Sequence, residues 1–245
     1  MSVAWLTPRW SAPANVRAAF TLRSGGVSTA PYDSLNLGDH VGDDDAHVGA
    51  NRARVAQALE LPQQPVWLQQ VHGTRVRDLD ARHDSDPADA AMTRHAGRVC
   101  AILVADCLPV LLASRDGQQI GAAHAGWSGL AAGVLEAAVA ALRSPPAELV
   151  VWLGPSIGHQ SFEVGDEVRQ VFIGARPSDA VAFTRNARDR WLCDLALLAR
   201  LRLQSMGIAD VTLDGSCTFR ERGRFFSFRR DGQCGRMAAL LWRMS

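Results

Sequence analysis

The chain has 245 residues, of which 47% are hydrophobic and 21% are charged, the balance of an ordinary packed globular protein. A formal net charge of +1 gives no electrostatic basis for binding nucleic acid or an anionic membrane. All 26 basic residues are arginine, and the absence of lysine excludes Schiff-base chemistry and a lysine nucleophile. We expect a single domain over residues 1–245, because we find no repeat, low-complexity tract or linker.

The N-terminus and the cysteines predict a cytoplasmic protein. The first residues, MSVAWLTPRWSAP, lack the basic and apolar regions of a signal peptide, and no apolar run approaches the roughly 20 residues that span a bilayer. The five cysteines are scattered and have no CxxC spacing, so we expect reduced thiols or metal ligands rather than disulfides. We expect a monomer, with a homodimer as the alternative.

The N-terminal part of the chain alternates short regular elements with polar loops. Residues 18–28 predict a strand that enters a glycine turn, and residues 50–59 predict a helix. The acidic residues 43–45, flanked by His40 and His47, could bind a hard cation. They lack an EF-hand pattern, however, and a solvated loop or the start of the helix explains them as well.

The central part of the chain carries the most apolar segments. Residues 66–79 predict two strands around a glycine turn, and residues 81–94 predict a polar surface loop. Residues 98–114 predict a central strand or strand pair. We expect a bend just after Cys107, because Pro109 cannot donate to an uninterrupted ladder.

The C-terminal half predicts helices packed on further strands. Residues 129–143 form the clearest helical pattern, and the free N–H groups at its start could receive an anion. A buried strand is predicted within 148–165, helices over 166–174 and 191–207, and late strands within 211–242. The pattern as a whole indicates a mixed α/β fold.

Three side chains that could bind a metal lie at or near the ends of predicted strands: His72, Cys107 and His124. Two imidazoles and one thiolate form a known catalytic zinc set, which leaves a fourth position for water or substrate. Their spacing has no zinc-finger regularity, so a buried hydrophobic cysteine and hydrogen-bonded histidines remain open as alternatives at this point.

Several longer motifs carry a specific resemblance. The segments QQVHG, ADCLPVLL, AAHAGWSGL, GPSIG with FEVG, and FFSFRRDGQCGR occur in this order, together with TLRSGGVS, SLNLG and SCTF. In these motifs and their order the chain resembles a bacterial family once called multicopper polyphenol oxidases and now regarded as purine nucleoside phosphorylases. That family includes the peptidoglycan editing factor.

The resemblance implies a fold, a metal and an activity. It implies an α/β/β/α sandwich with mixed β-sheets, and a catalytic zinc ion bound by His72, Cys107 and His124, with copper as an occupant in vitro. The implied substrates are inorganic phosphate and the purine nucleosides adenosine, inosine and S-methyl-5′-thioadenosine. Phosphorolysis of these nucleosides would be accompanied by adenosine deamination.

Four further residues are candidate substrate contacts. Arg229 could hold phosphate with its guanidinium group, although a turn salt bridge explains it equally well. Phe226 could stack on a purine or belong to the core. Arg23 and Asn36 lie in the early loops and could reach substrate, with loop capping as the alternative. For Asp106, strand alternation favours a buried structural hydrogen bond.

The chain departs from the family pattern at two places. Ser128 replaces the arginine of the usual HAGWRGL, and Cys234-Gly235-Arg236 replaces the usual TGR. Neither change affects a predicted metal ligand. The lost arginine leaves the exact substrate preference open.

Four alternatives compete with the phosphorylase. The same zinc site could serve a hydrolase that removes a wrong amino acid from a peptidoglycan precursor. A copper polyphenol oxidase would need more histidines than the seven present. Cys107 and His124 alone could form a metal-free thiol hydrolase. A purely structural zinc site would need Cys217 or His159 as a fourth ligand.

Overall fold

The structure is a computed structural model that describes residues 2–81 and 85–245. Within these ranges the strands are β1 Trp5–Leu6, β2 Val16–Thr21, β3 Val76–Asp78, β4 Ala90–Thr93, β5 Val99–Val104, β6 Leu108–Ser114, β7 Ile120–Ala125, β8 Leu149–Leu153, β9 Glu163–Val164, β10 Phe183–Arg185, β11 Trp191–Cys193, β12 Asp210–Leu213 and β13 Met237–Arg243. The α-helices are α1 Asp45–Ala58, α2 Trp127–Ala132, α3 Val134–Leu142, α4 Asp166–Ala175, α5 Leu195–Ser205 and α6 Phe228–Asp231. None of the helices in these described ranges is both long and apolar enough to cross a bilayer.

Two large sheets stack face to face. The first has the strand order β1-β2-β13-β5 and is antiparallel throughout. The second has the order β12-β8-β6-β7-β4-β3 and is mixed, because its two outermost pairs are parallel and its inner pairs are antiparallel. A small antiparallel sheet, β10-β11-β9, completes the strand pairing of the described residues.

The apolar runs in the central strands form cores on both faces because side chains alternate along a strand. In β5, Ile102 and Val104 pack between the two sheets, whereas Ala101 and Leu103 face the opposite layer with Val55 of α1. A strand that is covered on both faces reads as a continuous apolar run, as residues 99–104 do.

The second sheet is covered in the same way on its outer face. Val110 and Leu112 of β6 pack with Leu135 of α3 and Leu198 of α5, while Leu111 points into the core between the sheets. The layers therefore run from α1 through the first sheet and the second sheet to α3 and α5. This order confirms the predicted α/β/β/α sandwich with mixed sheets.

Two predicted helices differ in their limits. The helix predicted over 129–143 is two helices, α2 and α3, because Gly133 adopts a φ of 105° between them. The helix predicted over 50–59 begins earlier, at Asp45. Asp44 caps it by accepting a hydrogen bond from the backbone N–H of Ala46 at 2.7 Å, so the acidic run serves as a helix start.

Other local predictions were wrong where tertiary contacts replaced regular pairing. Most of residues 66–79 is a loop: Val66 makes only an isolated bridge to Cys100, and the sole strand there is β3. The predicted surface loop includes residues 82–84, which lie outside the described residues, and its last part forms the buried strand β4. Residues 191–193 form β11, and α5 begins only at Leu195, after the capping residue Asp194.

The cysteines behave as the sequence predicts. All five are free thiols. Burial raises the pKa of the Cys100 and Cys193 thiols well above the usual range, so both act as small neutral hydrophobes in the cores. Cys107 differs, as its surroundings at the candidate site explain.

Asn51 holds the N-terminal loops against α1. Its amide nitrogen donates to Ser28 Oγ at 2.9 Å and to the carbonyl oxygens of Ser34 at 3.2 Å and Asn36 at 2.9 Å. Its amide oxygen accepts from the backbone N–H of Val27 at 2.8 Å. The side chain has no exposed surface, so no water is available to replace these bonds.

We expect Asn51→Ala to lower the free energy of unfolding by about 2–4 kcal/mol, because it leaves several buried polar groups unpaired. Urea unfolding followed by circular dichroism measures this change. Gln57→Ala, at an exposed position of the same helix, is the control and should stay within about 0.5 kcal/mol of the parent. Equal stability of the two variants would contradict the assigned role of Asn51.

Candidate metal centre

Strand pairing brings Cys107 next to His124. Strands β6 and β7 are antiparallel neighbours, and Pro109 of β6 lies opposite His124 of β7. Cys107 immediately precedes β6, after a turn at Asp106 with a φ of 85°. The bend was predicted after Cys107, but it lies just before Cys107, at Asp106. Pro109 is near the beginning of β6, where a proline is tolerated.

His72 reaches the same place from a loop rather than from a strand end. It has a left-handed backbone with a φ of 59°, which is uncommon for a residue other than glycine. The backbone N–H groups of Val71, His72 and Gly73 all donate to the carboxylate of Asp89, at 3.0, 2.9 and 2.7 Å. These bonds stabilise a loop shape that would otherwise be unfavourable.

The same carboxylate orients His124. Asp89 Oδ1 lies 2.8 Å from His124 Nδ1, and Asp89 has no exposed surface. Because a carboxylate accepts, Nδ1 carries the proton and Nε2 is the nitrogen left for a ligand. Burial opposes ionisation of Asp89, but the bonds from His124 and from the backbone outweigh it and lower its pKa.

The three donors lie close enough to share one ion. The ligand atoms of His72, Cys107 and His124 all lie within 4.8 Å of one another. Cys107 Sγ is 3.8 Å from His72 Nε2, and the two imidazole rings are 4.7 Å apart between centroids at an angle of 72°. Two imidazoles and one sulfur suit zinc, and the set resembles the His₂Cys part of a copper site as well.

The charged groups around Cys107 favour its thiolate form, which can bind a cation. Burial alone raises the pKa of Cys107, but the positive charge and hydrogen bonds of His124, followed by those of His72, lower it to about 6. Burial also opposes the charged form of His124, which for a histidine lowers the pKa. The Cys107 thiolate and Asp89 outweigh burial and raise the pKa of His124 to about 9. The thiolate, which is the form that binds metals, therefore prevails at neutral pH.

Among the residues that the structure describes, the cluster has three candidate ligands and no fourth. The sulfur of Cys217 accepts from the backbone N–H of Gly158 at 3.2 Å, and His159 Nε2 lies 2.8 Å from Thr184 Oγ1. Neither Cys217 nor His159 belongs to the metal-binding group found among the described residues. This arrangement is that of an open site, and it disfavours the structural zinc alternative.

The glycine of the HAGW motif is required by close packing. A Cβ atom on Gly126 would lie 2.8 Å from His72 Cδ2 and 3.1 Å from Cys107 Sγ. Any larger residue would therefore displace a candidate ligand. The helix that follows, α2, has six residues, and the anion site predicted from its free N–H groups would lie at its start.

Two cavities adjoin the candidate ligands. One, of about 280 Å³, is lined by all three together with His40, Gln70 and Arg236, among others. The other, of about 250 Å³, is lined by His72 and Cys107 together with apolar residues and Arg229. A larger cavity of about 920 Å³ involves none of the three ligands.

Only one of the four predicted substrate contacts lines a cavity at the cluster. Arg229 lines the apolar one, where it donates to the carbonyl oxygen of Glu163 at 2.7 Å. Arg23 lines the separate large cavity and donates to the carbonyl oxygen of Asp33. Asn36 and Phe226 have no exposed surface, so neither side chain presents a face to a substrate.

Asn36 and Phe226 have internal roles instead. Asn36 Oδ1 accepts the backbone N–H groups of Gly38 and Arg236, each at 2.9 Å, and so joins two loops. Phe226 packs in the core between the sheets. The alternatives of loop capping and core packing are therefore the ones that fit these two residues.

Asp106 has the structural role predicted for it. Its carboxylate accepts from Thr218 Oγ1 at 2.6 Å, Ser227 Oγ at 3.0 Å and the backbone N–H of Arg229 at 2.7 Å. It thereby fastens the turn before Cys107 to the start of α6. Ser128 makes no hydrogen bond through its side chain within the described part of the chain.

Two residues that position the candidate ligands, Asp89 and Gln70, were not predicted from the sequence. Asp89 lies in the polar stretch HDSDPADAAM, which is typical of a loop, and only the apolar residues after it signal a buried strand. Gln70 belongs to the QQVHG motif and exchanges hydrogen bonds of 2.9 and 2.8 Å with the backbone of Leu103. It thus anchors the His72 loop to β5.

We expect Asp89→Asn to weaken zinc binding by about 10- to 100-fold, because an amide cannot hold the His124 tautomer or the loop N–H groups as a carboxylate does. Competition with a chromophoric chelator measures the affinity. Asp86→Asn makes the same chemical change at an exposed position three residues earlier and should leave the affinity unchanged. Parental affinity in Asp89→Asn would refute the assigned role.

Comparison with known proteins places the chain in a family. Residues 17–244 match the family model described as multi-copper polyphenol oxidoreductase laccase. The chain is 51% identical over 240 residues to purine nucleoside phosphorylase PA4543 of Pseudomonas aeruginosa, covering 98% of each chain. It is 46% identical over 238 residues to purine nucleoside phosphorylase YfiH of Escherichia coli, covering 97% of this chain and 98% of the relative.

Solved structures agree with this placement. The protein NMB0706 of Neisseria meningitidis superposes with a TM-score of 0.94 at 45% identity, covering 98% of this chain and 99% of that one. YlmD of Geobacillus stearothermophilus superposes with a TM-score of 0.88 at 31% identity, covering 95% and 93%. The chain therefore belongs to the multi-copper polyphenol oxidoreductase laccase family, which its motifs had indicated.

Proposed function

We propose that the chain is a metal-dependent purine nucleoside phosphorylase. The observation that carries this proposal is the group of His72, Cys107 and His124, which has three donors and adjoins two cavities. A metal position left open beside space for a ligand is characteristic of a catalytic site. The names of the relatives from Pseudomonas aeruginosa and Escherichia coli support the choice of reaction.

Zinc is the metal that we propose for this group. When bound, zinc would supply a Lewis acid that neutralises negative charge and acidifies water. His72 and His124 would present neutral imidazoles to it and Cys107 a thiolate. A laccase with several copper ions would need further clusters, and within residues 2–81 and 85–245 this group is the one set of three donors.

The proposed substrates are inorganic phosphate and adenosine, inosine or S-methyl-5′-thioadenosine. An oxygen of phosphate forms a bond to the anomeric carbon of the sugar while the bond from that carbon to the purine nitrogen breaks. The products are the sugar 1-phosphate and the free base. Hydrolytic removal of the amino group of adenosine would be a side activity at the same centre.

Arg229 is a proposed substrate contact in this reaction. Its guanidinium carbon lies 5.2 Å from the centroid of Phe162, and both residues line the apolar cavity beside Cys107. No carboxylate lies within 4.0 Å of its guanidinium group among the described residues. Its charge therefore remains available to a substrate.

We place the enzyme in the cytoplasm. All five cysteines are free thiols. The lowered pKa of Cys107 favours its thiolate, which makes this residue susceptible to oxidation when no metal is bound to it. A reducing compartment keeps such a thiolate available.

Chromatography of the products from zinc-loaded protein and adenosine tests the proposal. With phosphate present, we expect release of adenine, and without phosphate a slower appearance of inosine. His72→Ala, Cys107→Ala and His124→Ala should each lower adenine release by more than about 100-fold, because loss of a ligand exceeds the effect of losing an outer partner.

Cys217→Ser is the matched control for Cys107→Ala, because it removes a partly buried thiol outside the metal group. We expect it to retain phosphorolysis within about twofold of the parent. Formation of neither product by the zinc-loaded parent would contradict the proposal and favour the hydrolase that edits peptidoglycan precursors.

A further inference from the structure

The two cavities at the metal centre differ in chemistry and share Phe228. This ring lines both cavities and is 59% exposed. His72 and Cys107 also line both. Each cavity lies below the roughly 300–1,000 Å³ typical of ligand pockets, so a nucleoside and phosphate together would occupy both.

The first compartment, which we name the apolar compartment, suits a flat hydrophobic group. Besides Phe228, its walls include Trp127, Ile157, Phe162 and Leu195. Trp127 is 38% exposed, so part of its ring is available for stacking. Aromatic and aliphatic walls of this kind favour a purine base.

The second compartment, which we name the polar compartment, contains the side chain of Arg236. Arg236 donates from Nη1 to the carbonyl oxygens of Cys234 at 2.9 Å and Gly235 at 3.2 Å. Among the described residues its Nε and Nη2 have no hydrogen-bond partner, and no carboxylate lies within 4.0 Å of it. By contrast, the neighbouring Arg230 forms a salt bridge with Asp231 at 2.7 Å.

His40 and Arg236 act on each other electrostatically in this compartment. Burial lowers the pKa of His40, and the charge of Arg236 lowers it further, although the Asp39 carboxylate, 3.5 Å from His40 Nδ1, acts in the opposite direction. The backbone of Arg236 is held by Asn36, which accepts the Arg236 N–H at 2.9 Å, and the guanidinium lies 5.8 Å from the Phe228 ring centroid.

We propose that the polar compartment is the subsite for a tetrahedral oxyanion, inorganic phosphate, bound by Arg236 and His40 beside the metal ligands. The apolar compartment, which shares Phe228 with it, receives the base. The assignment rests on the proposed phosphorylase activity. An unpaired guanidinium with a free Nε and Nη2 offers the bidentate geometry that matches two oxygens of a phosphate.

Steady-state kinetics with each substrate varied separately tests the assignment. Arg236→Gln should raise the KM for phosphate by about tenfold or more, because a charge-assisted pair is lost, and should change the KM for adenosine by less than about twofold. Arg229→Gln removes the same charge from the apolar compartment. It should raise the KM for adenosine and leave the KM for phosphate nearly unchanged. The reverse pattern would overturn the assignment.

Arg236 also bonds to two carbonyl oxygens, so its replacement could disturb the local fold. His40→Gln provides a second test, because the His40 side chain is 56% exposed and its loss should not affect folding. It should raise the KM for phosphate by about threefold without changing the KM for adenosine. An unchanged KM for phosphate in His40→Gln and in folded Arg236→Gln would refute the subsite.

A direct measurement of phosphate binding tests the subsite independently of the proposed phosphorylase activity. Calorimetric titration of zinc-loaded protein with inorganic phosphate needs no turnover. If the parent binds phosphate and Arg236→Gln binds it at least tenfold more weakly, the subsite is supported even when no phosphorolysis is detected. If the parent does not bind phosphate, or if both proteins bind it equally, the subsite is wrong.

Discussion

The buried carboxylate of Asp89 is the interaction on which the metal centre depends. A carboxylate without exposed surface is tolerated only when its oxygens are hydrogen-bonded, and Asp89 accepts four donors. Three come from the backbone of residues 71–73 and one from the ring of His124. One side chain therefore stabilises both the left-handed backbone of His72 and the tautomer of His124, although these two histidines are far apart in the chain.

A second buried carboxylate, Asp106, organises the other side of the centre. It immediately precedes Cys107, and its bonds to Thr218, Ser227 and the backbone of Arg229 connect this turn to the start of α6. Helix α6 carries Phe228, which lines both cavities. The same anchor thus positions the thiolate and an aromatic ring that the two cavities share. Both carboxylates are occupied with holding other groups, which leaves neither available as a base.

The three candidate ligands could be found from sequence because each lies in a short motif with a distinctive residue type. Asn36 and Phe226 also lie in motifs, yet they are buried and serve the loop and the core. Motif membership therefore identified the neighbourhood but not the direction in which a side chain points. Asp89 could not be recognised from the sequence. The residues around it are polar and typical of a surface loop, and its hydrogen-bond partners, such as His124, are far from it in the chain.

The sequence by itself indicated a mixed α/β fold, because continuous apolar runs such as those of β5 and β6 require cover on both faces of a sheet. The resemblance of its motifs to a known family implied the layered sandwich. The sequence also determined which thiol and which imidazoles are chemically able to bind a metal. Only the tertiary structure decided which groups meet: the pairing of β6 with β7, the Asp89 network and the charge of Arg236 beside Phe228. These depend on contacts between residues far apart in the chain, which local pattern and propensity do not encode.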